Sequence, residues 1–206
     1  QDPEGCVGQK GAQDYIYGHA IAALALSEAW AMSGNPLIKE PAAKAVRFIA
    51  SVRNRYQAWG YAVPSPGRQL DSDTSVTGWM IMALKSARAG GLEVADESLL
   101  AGLRWIDDMT DKSSGQVFYG RDDKGGLIPA TAMDTAAVVT APAEGGGKYR
   151  AGNTRFGLTH AMTAIGLLSR IWIGEAIKEK KCRPDEPLLV KAADLLRRNP
   201  PSWNTK

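Results

Sequence analysis

Cysteine is scarce in this chain. Cys6 and Cys182 are too few for a disulfide framework and too far apart for a metal knuckle, so neither redox compartment is favoured. Long apolar runs are also missing. A membrane-crossing helix needs about 20 apolar residues. The longest candidate here, Ile21 to Met32, is broken by Ser27 and Glu28, so no membrane span is expected and the chain reads as soluble. Aromatic residues are few, with 6 Trp, 6 Tyr and 3 Phe, and none interleaves the basic cluster Lys178, Lys180, Lys181, Arg183, Lys191, Arg197 and Arg198. A single-strand nucleic-acid groove would need that interleaving, so no nucleic-acid partner is expected. These cations, with Arg170, read instead as a solvated outer helix face. They belong to a charge asymmetry, since residues 1–147 carry 13 basic and 17 acidic side chains and residues 148–206 carry 12 and 5.

What is present is ordinary globular composition, 44% hydrophobic and 23% charged over 206 residues, which suits one domain spanning residues 1–206. Within it a unit repeats. Ala25-Leu26-Ser27-Glu28-Ala29 returns as Ala83-Leu84-Lys85-Ser86-Ala87 at an offset of 58, and more loosely as Gly166-Leu167-Leu168-Ser169-Arg170 at a further 83. Each copy is followed by an amphipathic helical pattern, so one unit is two helices. The first is apolar nearly all round and suits an inner layer; the second, with Lys44, Arg47 and Arg53 opposite Val46, Ile49 and Ala50, suits an outer one.

Inner helices are expected near 15–33, 74–90 and 157–173, and outer helices near 40–54, 96–109 and 186–198. Asp14, Asp73, Asp96 and Asp185 serve as start signals, and Gly34, Gly90 and Gly174 as stops. Gln57-Ala58-Trp59-Gly60-Tyr61 and Gly115-Gln116-Val117-Phe118-Tyr119-Gly120 form turns after the first two pairs. Residues 110–155, rich in glycine and small side chains, read as a turn plus an inserted loop. Gln1-Asp2-Pro3-Glu4-Gly5-Cys6-Val7-Gly8 has the form of such a turn with no pair before it. The chain is therefore expected to be the later part of a longer ring or solenoid, with self-association through the exposed repeat end.

Helix pairs joined by Gln/Gly/aromatic turns resemble the squalene–hopene cyclase and protein prenyltransferase repeat superfamily. The likeness is closest over Tyr17-Gly18-His19-Ala20-Ile21-Ala22-Ala23-Leu24-Ala25-Leu26 and Asp73-Thr74-Ser75-Val76-Thr77-Gly78-Trp79. The resemblance implies an all-α fold, a partial or complete α/α toroid, and a terpenoid-cyclase-like or prenyltransferase-like domain. Hopene-type cyclases protonate an alkene with the middle acid of Asp-x-Asp-Asp-Thr-Ala. Setting Asp73-Thr74-Ser75 on the end of that motif places Ser72 at the donor, Asp71 at the variable position and Leu70 at the first acid. A serine hydroxyl is far too weak an acid for this step, and Asp73 then reads as a helix N-cap. The prenyltransferase branch holds zinc through Asp, Cys and His, but Cys182 has no histidine nearby, so no metal or other cofactor is expected.

The offsets of 58 and 83 place His19, Thr77 and His160 at one repeat position. With Asp71 and Asp73 they make a candidate rim site for a metal or an anionic head group, the blander reading being hydrogen-bonded histidines near helix starts. Trp30, Trp79 and Trp172 are candidate cavity aromatics, and core packing is the competing reading. Asp107-Asp108 and Asp122-Asp123 lack the spacing of a diphosphate ladder. Gly5-Cys6-Val7-Gly8-Gln9 keeps the Cys-to-Gln spacing of complement-type thioester domains without their glutamate. The expected function is a non-catalytic binding or scaffold module for an apolar or isoprenoid ligand or a protein partner. The alternatives are an isoprenoid cyclase-like or transferase-like enzyme, and a thioester domain using Cys6 and Gln9.

Overall fold

In a computed structural model the described residues are 1–12, 14–54, 56–63, 72–121, 127–128 and 160–200. They form α1 (Tyr15–Ser33), α2 (Pro36–Ser51), α3 (Thr74–Ala89), α4 (Asp96–Asp108), α5 (Ala161–Ile177) and α6 (Pro187–Arg198), with a short 3-10 turn at Lys180–Cys182. Two two-residue strands, β1 (Gly120–Arg121) and β2 (Leu127–Ile128), pair antiparallel inside the expected loop. The architecture is all-α, as the repeat pattern implies. No helix among the described residues is long and apolar enough to cross a membrane.

The apolar helices lie side by side, α1 against α3 and α3 against α5; α2 packs on α1 and α3, α4 on α3 and α5, and α6 on α5. Close approach depends on missing side chains. A Cβ on Gly78 of α3 would sit 2.3 Å from Ile165 Cγ2 of α5, and one on Gly102 of α4 would sit 2.8 Å from Ile81 of α3. The core between the layers is fully buried Ile16, Ile49, Met80, Ile81, Leu84, Leu99, Ile106 and Trp59, whose indole N–H donates to Ile49 O at 2.8 Å.

Several expected boundaries move. The second helix starts at Pro36, earlier than 40, because Asn35 caps it by accepting from Leu37 N at 3.0 Å and proline suits a first helical turn. Asp14 makes no capping hydrogen bond, Asp96 is already inside α4, and Glu186 stands at the N-cap of α6 in place of Asp185. Gly34 does end α1 in the left-handed conformation, but Gly90 is not left-handed and Gly174 does not stop its helix. The third inner helix runs on to Ile177, and Gly174 is small because Cys182 Cβ would lie 2.6 Å from its Cβ. Arg170 is not on a solvated face. It is buried, ion-paired with Asp107 at 2.5 Å and hydrogen-bonded to Thr110 Oγ1 at 3.1 Å, which ties α5 to the end of α4.

The turns repeat more faithfully than the helices. In each, a residue with positive φ (Gly5 at 97°, Gln57 at 63°, Gly115 at 78°) precedes by two a residue whose N–H bonds a side chain of the following inner helix. Val7 N donates to His19 Nδ1 at 3.0 Å, Trp59 N to Thr77 Oγ1 at 3.3 Å, and Val117 N to Thr163 Oγ1 at 3.1 Å. The position equivalent to His19 and Thr77 is therefore Thr163, and His160 stands one turn earlier, at the N-cap of α5. The offset of 83 is corrected to 86, the distance from Thr77 to Thr163.

Candidate functional site

The start of α3 is held from three sides by backbone and side-chain hydrogen bonds. Asp73 N donates to Trp59 O and Thr74 N to Tyr119 O, both at 2.9 Å, so the turns before and after α3 clamp its first residues. Thr74 Oγ1 donates to Phe118 O at 2.8 Å and accepts from Trp105 Nε1 at 3.1 Å, and Asn54 Nδ2 donates to Ser72 Oγ at 2.6 Å. This scaffold fixes the Asp73 carboxyl, which is 4% exposed. One oxygen, Oδ1, caps the helix by accepting from Val76 N at 2.9 Å and Ser75 Oγ at 2.5 Å. The other, Oδ2, is buried and has no hydrogen bond of ordinary geometry.

A connected set of aromatic side chains leads away from the carboxyl, beginning at Tyr119 and Tyr61. The hydroxyls of Tyr61 and Tyr119 meet at 2.9 Å; the Tyr61 ring stacks on Tyr17 at 6.2 Å and 10°; Tyr17 Oη accepts from Trp79 Nε1 at 2.6 Å, with the two rings edge to face. All four aromatics and Ser75 are half-buried, so the cluster meets solvent on one side. Burial drives the Asp73 pKa upward against the hydrogen bonds from Ser75, Tyr119 and the Val76 amide, which favour the charged form. Tyr119 and Tyr61 are pushed up as well, first by burial and then by the Asp73 charge.

Among its described members, the side chains of the expected rim set are engaged separately. His19 is fully buried, its Nδ1 accepting from Val7 N and its Nε2 facing Ala45 O at 3.1 Å, with the ring edge on Phe48 at 4.7 Å. Burial lowers its pKa. It is a structural pin and not a rim ligand. Thr77 pins the next turn in the same way, its hydroxyl also donating to Trp59 O at 3.2 Å. His160 is half-buried, and its Nδ1 has no hydrogen-bond partner. Asp71 lies outside the described residues. Among the described residues no three His, Cys, Asp or Glu side chains converge as metal ligands.

Of the three candidate cavity aromatics, only Trp79 joins the Asp73 cluster. Trp30 lies near the other end of α1, donating to Gly90 O at 2.9 Å under Lys39 Nζ, and Trp172 packs half-buried on the core. The missed residues are Tyr17, Tyr61 and Tyr119. A signal existed for two of them, because Tyr61 and Tyr119 are 58 residues apart and close successive turns.

Below the cluster, the corrected register aligns Ile21 with Trp79 and Ile165, and Leu24 with Met82 and Leu168. All six are exposed or half-buried, with Ile21 at 42% and Leu168 at 44%. Trp79 to Tyr17 at one end and Ser86 Oγ to Glu28 Oε1 at 3.3 Å at the other frame the α1–α3 part of this apolar face. At the first turn, Cys6 is fully buried with its thiol pKa raised by that burial, whereas Gln9 is exposed.

The fold and site define a class: an all-α protein of paired helices with a half-open aromatic cluster beside one buried carboxyl. Comparison with protein-family models, with curated proteins and with solved structures returned no match.

Proposed function

We propose that this chain folds as a partial or complete α/α toroid of the cyclase and prenyltransferase repeat type, acting as a binding module for an apolar or extended partner. The apolar face of α1, α3 and α5 carries this reading, because it leaves Ile21, Leu24, Met82 and Leu168 accessible on one side of an otherwise well-packed layer. In a ring, that side is the lumen. The reading is non-catalytic because Ser72 stands where the resembling cyclases need their proton donor, and its hydroxyl accepts from Asn54. Native mass spectrometry after incubation with an isoprenoid alcohol tests it. A bound species, with Trp79 fluorescence changed, is expected; a protein that stays empty and spectrally unchanged overturns the reading.

One observation favours the enzyme alternative. Asp73 is a buried carboxyl with a raised pKa, the state that a general acid needs. Turnover of an isoprenoid substrate that disappears in Asp73→Asn, with fold retained, would establish it. The thioester alternative is tested by intact mass, since joining Cys6 to Gln9 expels ammonia.

A further inference from the structure

We propose that the Asp73 cluster is a head-group site for an amphiphilic amine: the ammonium is taken by Asp73 Oδ2 and the tyrosines, and the chain lies along the apolar face of α1 and α3. The proposal rests on the reading of that face as a binding surface. Three observations carry it.

First, Oδ2 is a buried acceptor that no hydrogen bond of ordinary geometry reaches, with the Tyr119 hydroxyl close enough to the carboxyl to favour its charged form, while its sister oxygen is fully occupied in capping α3. A buried acceptor left unpaired is costly, and a ligand that supplies a donor removes that cost. Second, no described residue forms an ion pair with Asp73, and the largest influences on its ionisation, burial, Ser75, Tyr119 and the amides of Ser75 and Val76, include no cation. Among the described residues a carboxylate here therefore has no counter-charge, and an ammonium is its complement. Third, Tyr119 and Tyr61 stand beside it and lead through Tyr17 to Trp79, a row of π faces and hydroxyl oxygens of the kind that holds ammonium groups by cation–π attraction and accepted hydrogen bonds. Trp79 belongs both to this cluster and to the row Ile21, Trp79, Ile165, so head and chain positions are continuous.

The test compares decylamine, decanol and decanoate, each below its micelle concentration, by calorimetric titration at mildly alkaline pH. Decylamine is expected to bind about tenfold tighter than decanol, the scale of one cation–π contact plus a charge-assisted hydrogen bond, and decanoate weakest. Asp73→Asn keeps a capping acceptor and should erase the preference, leaving amine and alcohol equal. In the wild-type protein, amine affinity should fall on acidification more steeply than alcohol affinity, because protons compete with the ammonium for Asp73.

Equal binding of amine and alcohol, or an amine preference unchanged in Asp73→Asn or insensitive to acid, overturns the head-group assignment while the apolar-face reading stands. If none of the three binds, both fall together.

Discussion

His19 and Asp73 are two buried titratable groups at the starts of neighbouring inner helices, and their surroundings are opposite. His19 has both ring nitrogens engaged, one by a turn amide and one by a carbonyl of α2, and a ring edge against Phe48. Asp73 has one oxygen engaged twice and the other, near Tyr119, without a hydrogen bond of ordinary geometry. Burial pushes both toward neutrality, lowering the histidine and raising the acid. A buried polar group whose bonds are complete is explained by the fold, whereas one with an acceptor that no ordinary hydrogen bond reaches, beside half-open aromatics, is explained only in part. The histidine is thus a structural element, and the aspartate is where chemistry or binding is to be sought.

The largest expected effect follows from deleting the pin. His19→Ala leaves Val7 N without its partner, removes the second bond to Ala45 O and opens a cavity beside Phe48, for a loss of about 3 kcal/mol in a denaturant melt. A loss below about 1 kcal/mol would show that the first turn does not depend on His19 and would dissolve the contrast with Asp73.

Acid should imitate that deletion. Because the folded pKa of His19 lies below the unfolded value of 6.5, its contribution to stability is present above that value and is lost as pH falls toward the folded pKa. The slope is at most about 1.4 kcal/mol per pH unit for one proton. Protonated Nδ1 carries a hydrogen and can no longer accept from Val7, so the first turn is released. The charges facing this region are Asp2 and Glu4, both paired to Lys10, with Lys10 also over the Phe48 ring, and Lys44 of α2 against Gly5. Asp2 favours the charged imidazole and moderates the effect. The readout is Cys6, fully buried behind this turn: its labelling by a dithiodipyridine reagent should rise below pH 6.5 while Cys182, in the 3-10 turn packed against Gly174 of α5, stays protected. Parallel labelling of both cysteines would mean global unfolding instead of a local release.

Thr77→Val probes the middle unit, where a hydroxyl replaces the imidazole. It removes the bonds to Trp59 N and O in a buried setting but keeps the side-chain volume, so about 1–2 kcal/mol is expected, less than for His19→Ala. Equal losses at the two positions would mean that ring packing on Phe48 contributes nothing.

The fold was legible where period and composition agreed. Uninterrupted apolar runs such as Ile21–Leu26 and Trp79–Leu84 could only be central, and Lys44, Arg47 and Arg53 opposite Val46 and Ile49 could only be peripheral. The last register was not legible, because a slip of three residues along a helix keeps nearly the same face toward the core. Gly166-Leu167-Leu168 therefore matched as well at 83 as at 86. The turns held the missing information. Their left-handed residues and pinning amides fix the register absolutely, but Gln57 does a glycine's work and so hid the pattern. At the site, Asp73 was legible as a cap from its place before an apolar run. The surroundings of its second oxygen depend on Tyr61 and Tyr119, which come to the carboxyl from turns on either side of α3, a long-range closure that local sequence does not encode.

The smallest expected effect is the most discriminating. Asp73→Asn preserves an acceptor for Val76 N, since asparagine caps about as well as aspartate, and removes a charge that the interior disfavours. A raised folded pKa means that the stability linked to Asp73 is complete below the unfolded value of 3.8 and is lost as pH rises through the folded pKa. The variant escapes that loss, so at neutral pH it should match or exceed the wild type, within about 1 kcal/mol by chemical denaturation, and its stability should depend less on pH. A variant weaker by about 2 kcal/mol or more would show that the ionised carboxylate is already well solvated by Ser75, Tyr119 and the helix amides. In that event Asp73 has no need of a cation, and it joins His19 as a residue the fold explains completely.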